Sequence, residues 1–404
     1  MTRKDPYVTR TSVCHIITKL ELGGAQHNTL FTVGHLDRSR FRPMLISGEP
    51  GLLDGEAHAL LGDDWYQVPS MVRPINPVAD LRALLSLRSL LERLRPMIVH
   101  THSSKAGILG RLAAKMTGVP IVIHSIHGFG VTPTQSVLQR WLLLGAERMA
   151  AQATHRFFAV SQANRQQGIH YNLFRGDQCR VIRSGVDLRA LRELSVDVAN
   201  KKRDLGLAST QPVVGMVGPL KPQKAPLDFL RMAAVVHRAR PDAVFLYVGD
   251  GELRAAFEAE AARLDLTGSV KLLGWRRDVP ELLRCLDVFV LTSLWEGLPR
   301  VYLEALASGV PVVGTRVDGA AEVIRDGYNG YLLDPHDCHG IASRVLYLLS
   351  APEIRASMGA RGREGLSPDF DIHEMVRRQE REYDELIAER GPSLPHLPHL
   401  RGAA

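Results

Sequence analysis

The chain has 404 residues, 45% of them hydrophobic and 23% charged, and carries a formal net charge of +7. That length exceeds one compact α/β core and suits two, while the ordinary composition excludes a disordered chain. No apolar run reaches the ~20 residues that cross a bilayer. Residues 1–10 are polar and lack the apolar stretch of a secretory signal, so a cytoplasmic address is expected. Cys14, Cys179, Cys285 and Cys338 stand singly, which argues against disulfides and a structural zinc site. The modest positive charge suits an anionic ligand or a membrane surface. Basic clusters interleaved with aromatic residues are missing, so nucleic acid is not an expected partner.

Short β-rich runs alternate with longer amphipathic segments, the pattern of parallel sheets covered by helices. In the first half, strands are expected at 13–17, 43–47, 97–101, 121–125, 156–160 and 180–183, with helices at 25–36, 78–94, 106–116, 135–151 and 162–170. The rhythm restarts with strands at 213–217, 244–248, 270–272, 288–291 and 312–315, and helices at 226–237, 252–264, 300–307 and 340–349. The polar stretch 187–211 reads as a linker. A last helix, about 372–389, follows Ser367-Pro368, and a tail rich in Pro, His and Gly, 391–404, reads as mobile. Two Rossmann-like domains follow, 1–190 and 191–369, with a terminal helix at about 370–390 crossing back to the first. Their ligands are expected in a cleft at the carboxyl ends of two facing sheets.

One segment concentrates the chemistry. Ser293-Leu-Trp-Glu-Gly-Leu-Pro-Arg-Val-Tyr-Leu-Glu304 follows an apolar strand. Glu296 lies in the loop, Gly297 frees the backbone, and Pro299 suits the start of a helix. The N–H groups of that turn, near Leu298 and Arg300, form a site for an anion or sugar hydroxyls. Glu304 follows on the same helix, so two carboxylates line one wall, each able to hold a vicinal diol. A lone Glu would read as a solvated charge. The apolar Ala305-Leu306-Ala307 after Glu304, and the strand-loop-helix setting of the pair, favour a functional reading.

This segment resembles the Glu-x7-Glu signature of retaining glycosyltransferases of the GT-B fold, glycosyltransferase family 4 in particular. The resemblance implies that Glu296 contacts the donor sugar beside the Gly297–Pro299 backbone, and that Glu304 holds the ribose hydroxyls of the nucleotide. Val217-Gly-Pro-Leu-Lys-Pro-Gln-Lys224 resembles the family's diphosphate-binding loop, with Lys224 at the lysine position. Val248-Gly-Asp-Gly-Glu-Leu253 and Leu273-Gly-Trp-Arg-Arg-Asp278, which includes Arg276, resemble the strand ends lining the nucleotide. Leu22-Gly-Gly-Ala-Gln26 resembles the N-terminal glycine loop, bringing Gly23 and Gly24 to the donor. His124-Ser-Ile-His-Gly128 resembles the segment whose histidine, here His127, faces the reacting sugar. Arg183-Ser-Gly-Val-Asp187 resembles the interdomain turn, with Ser184 in place of Asn. The family often has Arg after the loop glycine where this chain has Pro219, so Lys221 or Lys224 is left to supply the charge.

Other signals are weaker. Gly23-Gly24 alone fits a plain βα turn, and Ser103 and Ser104 before Lys105 read as helix capping. Asp369-Phe-Asp371 has the bare spacing of a metal motif, but its place before a helix favours N-capping. No metal or cofactor is therefore expected. Arg82, Arg88, Arg93 and Arg95 surround a leucine face, and Trp141-Leu-Leu-Leu144 lies on a later helix. The first reads as a solvated helix packed on the sheet, with a basic surface on anionic lipid as the alternative, and the second suits an apolar membrane contact or core packing equally.

The expected function is retaining transfer of a sugar from a nucleotide diphosphate-sugar to an acceptor hydroxyl. By analogy, the acceptor is a lipid-linked saccharide at the cytoplasmic face of a membrane, in surface polysaccharide synthesis. A hydrolysing nucleotide-sugar epimerase of the same fold and a non-catalytic nucleotide-sugar binding module are the alternatives. A nicotinamide enzyme is disfavoured because Gly249-Asp-Gly251 and Gly128-Phe-Gly130 each lack a third glycine in register.

Overall fold

The computed structural model describes residues 10–132 and 135–390. The tail 391–404 lies outside the described residues. The chain divides into two compact units, residues 1–184 with 372–404, and residues 185–371.

In the first unit the elements run β1 (Thr11–Ile17), α1 (Gly24–His35), β2 (Phe41–Ser47), α2 (Asp54–Leu61), β3 (Trp65–Gln67), α3 (Pro77–Leu94), β4 (Ile98–His102), α4 (Ser104–Met116), β5 (Ile121–Ile126), α5 (Val137–Ala151), β6 (Arg156–Ala159), α6 (Gln162–His170) and β7 (Cys179–Val181). All pairings are parallel, in the order β3-β2-β1-β4-β5-β6-β7. Helices cover both faces, so β4 and β5 are buried along their whole length. On one face Cys14, Ile16, Val99 and Val122 pack on Ala83, Leu87 and Leu91 of α3.

The second unit holds α7 (Leu188–Glu193), α8 (Val198–Asp204), β8 (Val213–Val217), α9 (Pro226–Ala239), β9 (Val244–Val248), α10 (Arg254–Arg263), β10 (Val270–Leu272), α11 (Val279–Arg284), β11 (Val288–Leu291), α12 (Arg300–Ala307), β12 (Val312–Thr315), α13 (Ala320–Val323), β13 (Gly330–Leu333), α14 (Cys338–Ser350) and α15 (Pro352–Gly365). Its six strands pair in the order β10-β9-β8-β11-β12-β13. Helix α16 (Ile372–Arg390) then returns to the first unit, where Ile372, Met375, Val376, Tyr383 and Leu386 pack on Val13, Phe41, Ile98, Ile123 and Phe158.

Residues 187–211 are not an open linker. Asp187 and Asp197 cap α7 and α8, accepting from the Ala190 and Asn200 N–H groups at 2.8 and 3.0 Å. Leu188 and Leu191 are buried, and the Lys202 ammonium donates to the Ser209 and Gln211 carbonyls. Polar composition concealed two short helices whose buried apolar residues are Leu188 and Leu191 alone. Ser103 occupies the N-cap position of α4, yet its hydroxyl does not cap the helix. It meets the Thr18 hydroxyl at 2.7 Å, and Thr18 accepts from the Ala106 N–H instead. The four cysteines are unbridged.

Candidate active site

In the second unit the loop after β11 is tied to the loop after β8. The Thr292 hydroxyl donates to the Lys224 and Ala225 carbonyls at 2.9 and 3.0 Å. Leu294 N–H donates to the Gln223 carbonyl at 2.8 Å, and the Gln223 amide returns to the Trp295 carbonyl at 2.9 Å. These bonds bring Lys224 against Glu296. The Lys224 ammonium donates to Glu296 Oε1, which also accepts from the Ser293 hydroxyl at 2.6 Å. Both partners are mostly buried, with side chains 13% and 9% exposed, so the pair sits where charge–charge forces exceed their value in water.

Asp318 holds the loop from the other side, accepting from Glu296 N–H at 2.6 Å. Burial raises its carboxyl above the ordinary value. Gly297 and Leu298 are buried, so the backbone rather than the Leu298 side chain is available to a ligand. Pro299 is the N-cap of α12. One turn along, Glu304 pairs with Arg300 at 3.3 Å, an i,i+4 contact whose guanidinium is held in a buried place that lowers its pKa.

The loops after β8 and β9 lie backbone to backbone. Gly218 N–H donates to the Val248 carbonyl at 2.9 Å, and Leu220 N–H to the Asp250 carbonyl at 3.0 Å. A Cβ on Gly249, at φ +145°, would stand 2.0 Å from the Gly218 oxygen, so only glycine fits. Lys221 is the N-cap of the 3₁₀ turn Pro222–Lys224, its N–H on the Pro219 carbonyl at 2.8 Å. Arg276 forks onto Asp278 at 2.7 and 2.6 Å, and Asp278 also takes Lys201 at 2.7 Å. Arg276 is thus engaged in a brace between β10 and α11.

The first unit contains Gly23, Gly24 and His127. Gly23 is the extended N-cap of α1 with no side-chain cap. His127 follows β5 and is joined to a group of histidines absent from the sequence reading. His100 and His102 alternate on β4 and therefore share the sheet face that α16 covers. His15 lies opposite His100 in the β1–β4 register. His15 Nδ1 meets His102 Nε2 at 3.0 Å, and His102 Nδ1 meets His127 Nε2 at 3.0 Å. His100 is held by the Tyr383 hydroxyl of α16 at 2.6 Å and the Ser125 hydroxyl at 2.8 Å. Burial pushes His15 down to about 3 and His100 and His102 well below the ordinary imidazole value, so all three are neutral.

His15, His100 and His102 each bring a ring nitrogen within 4.8 Å of the others, a grouping that metal ions use. Here, however, both nitrogens of His100 and both of His102 already serve hydrogen bonds. His102 and His127 border a small cavity of about 10 Å³ with Asn28, Ser125, Ser184 and Gln379. Asn28 is 3% exposed, and neither end of its amide has a hydrogen-bond partner among the described residues. The strand-borne His100-Thr-His102 alternation was the available signal for this network. Arg300, four residues before Glu304, was the signal for that ion pair. Asp318 and Ser293 carried none.

Residues 197–365 match the family model of glycosyl transferases group 1, and residues 22–190 match that of glycosyltransferase family 4. A UDP-Gal:α-D-GlcNAc-diphosphoundecaprenol α-1,3-galactosyltransferase of Escherichia coli is 32% identical over 95% of this chain and 99% of its own. Sucrose-phosphate synthase of Thermosynechococcus elongatus superposes with a TM-score of 0.81 at 18% identity, covering 94% of this chain and 100% of that one. HepE of Anabaena, solved with UDP and glucose, superposes with a TM-score of 0.77 at 21% identity, covering 93% and 100%. With this topology, the chain belongs to glycosyltransferase family 4 and is a nucleotide-sugar-dependent glycosyltransferase of the GT-B fold.

Proposed function

We propose that this enzyme moves a hexose, with retention at the anomeric carbon and without a metal ion, from a nucleotide diphosphate-sugar to a lipid-linked saccharide at the cytoplasmic face of a membrane. The observation that carries the reading is the buried Lys224–Glu296–Ser293 cluster, with Glu304 on the helix that follows. An arriving diphosphate competes with Glu296 for the Lys224 ammonium. Lys224 then faces the leaving group, where negative charge grows as the glycosidic bond breaks. Glu296, relieved of the lysine, accepts hydroxyl hydrogens of the donor sugar beside the Gly297–Pro299 backbone. Glu304, oriented by Arg300, accepts those of the ribose. Lys221 adds charge to the same loop. In the first unit, Gly23 and Gly24 leave room at the start of α1, and His127 meets the reacting sugar.

The acceptor class rests on the Escherichia coli relative, whose name states UDP-galactose and a diphosphoundecaprenol-linked sugar. Those two compounds are the first pair to assay. Radiolabel moving from UDP-galactose into the lipid fraction, only when acceptor is added, is the expected result. Free sugar or an epimer released without acceptor would instead identify the hydrolysing epimerase.

Membrane contact is the remaining part of the proposal. Among the described residues no helix is long and apolar enough to cross a membrane. The first turns of α3 and α5 leave the carboxyl edge of one parallel sheet. Val78, Leu81 and Leu85 on α3 are more than half exposed, as are Val137, Leu138, Trp141 and Leu142 on α5. Arg82 and Arg140 stand exposed among them. Apolar side chains ringed by cations suit shallow insertion into an anionic lipid surface.

A further inference from the structure

We infer that Asp318 is a positioning residue of the transfer reaction: by accepting the Glu296 N–H, it holds the Glu296 carboxylate where the donor sugar arrives. The inference rests on the role proposed above for Glu296.

Strand β11 lies between β8 and β12, so the loop that follows it has a neighbouring loop on each side. From the β8 side, Gln223 fixes Leu294 and Trp295 through its backbone and its amide. From the β12 side three bonds arrive. Thr315 Oγ1 donates to the Ser293 carbonyl, Glu296 N–H donates to Asp318 Oδ2 at 2.6 Å, and Gly319 N–H donates to the Gly297 carbonyl at 3.2 Å. The Glu296 nitrogen is bonded to the very Cα that carries the carboxylate side chain. Holding it therefore sets the direction of the Cα–Cβ bond, from which Oε1 reaches Lys224 and Ser293. Charge acts in the same sense. The Asp318 and Glu296 carboxylates repel each other, which turns the Glu296 side chain away from Asp318. A carboxylate also holds a backbone N–H more strongly than a neutral oxygen does.

The backbone of Asp318 separates this role from that of an ordinary turn residue. Its φ is +39°, a left-handed conformation that glycine adopts at least cost and that Asp and Asn tolerate. The residue stands at the surface, with its carboxyl enclosed by the loop, so core packing does not require it. Turn geometry alone would be served best by glycine. What the aspartate adds is the acceptor.

Two variants of the full-length protein divide these contributions. Asp318→Gly keeps the backbone conformation and removes the acceptor. Asp318→Asn keeps an acceptor oxygen and tolerates the same φ. Hydrogen exchange of the Glu296 amide, read by NMR without substrate, should be slow in the wild type and in Asp318→Asn and about 10-fold faster in Asp318→Gly. With UDP-galactose and the diphosphoundecaprenol-linked acceptor, Asp318→Gly should lower kcat about 10- to 100-fold and change the donor KM less. Asp318→Asn should stay within about 3-fold of the wild type. Wild-type kcat in Asp318→Gly would reduce Asp318 to a turn residue and overturn the inference. So would an Asp318→Asn variant as slow as Asp318→Gly, a loss confined to KM, or an unprotected Glu296 amide in the wild type. If Asp318→Gly does not fold, the Glu296 amide of the wild type and of Asp318→Asn decides: protection in both supports the inference, and its absence overturns it. No transfer from UDP-galactose by the wild type would count against the function proposed above, while the exchange comparison, which needs no substrate, still judges Asp318.

Discussion

Acidification should unfold the first unit well before the second. His15, His100, His102 and His124 are fully buried there, and burial holds each neutral, far below the ordinary value of 6.5. The unfolded chain recovers that ordinary value and takes up a proton per ring as the pH falls through it. Below 6.5 the unfolded state therefore binds more protons, and stability declines until the folded pKa is reached, about 3 for His15. Between pH 7.5 and 5.5 each ring costs about 1.4 kcal/mol, and four cost about 5 kcal/mol, a large part of a domain's usual stability. The second unit's histidines, His237, His336 and His339, are not enclosed in this way. Urea unfolding followed by tryptophan emission separates the units. With Trp275 and Trp295 changed to Phe, the signal comes from Trp65 and Trp141 of the first, and the reciprocal variant reports on the second. A loss in the first unit below about 1 kcal/mol, or no greater than in the second, would mean that the rings accept protons inside the fold.

Lys224→Ala should lower kcat by about 10²–10³, the scale for one preorganised electrostatic group. Lys221→Ala should cost less, and a non-additive double mutant would identify Lys221 as the substitute for the arginine that Pro219 displaces. Near-normal kcat in folded Lys224→Ala would put the diphosphate on another loop. Glu304→Ala should raise the donor KM more than it lowers kcat, whereas Glu296→Gln should act on kcat; equal, negligible effects would remove both from the site. Dialysis against a chelator should leave transfer intact, and activity lost and then restored by manganese or magnesium would refute metal independence. Flotation with phosphatidylserine vesicles should be salt-sensitive and weakened by Trp141→Glu; absence of binding at low salt would return α3 and α5 to ordinary solvated helices.

The strands and long helices of both units were legible because strands buried on both faces read as continuous apolar runs, as in β8, β9 and β11, while the long helices repeat apolar residues with period 3.6. The elements missed were short or nearly without an apolar face. Helix α2 buries only Ala57, edge strand β3 has no fully buried residue, and α7 and α8 looked like a linker through their charges. In the site, Lys224, Glu296 and Glu304 stood out as motif residues, but their partners did not. Asp318 reaches Glu296 from a turn beyond β12, a meeting that depends on how two loops close. The histidine line was readable in part, since alternation places His100 and His102 on one face. That His15 stands beside them required the β1–β4 pairing.

Helix α16 is the last element among the described residues and yet a wall of the first unit's core. Until Ile372, Met375, Val376, Tyr383 and Leu386 have left the ribosome, Val13, Phe41, Ile98 and Phe158 lack the side chains that complete their cluster. The second unit, contiguous from 185 to 371, is complete before that moment. Synthesis order and folding order are therefore inverted, with the middle of the chain maturing first and its beginning waiting on its end. A nascent chain stalled after residue 371 would present an open apolar sheet face to chaperones. For the same reason, proteins truncated just before α16 should be lost to degradation rather than survive as half-active enzymes.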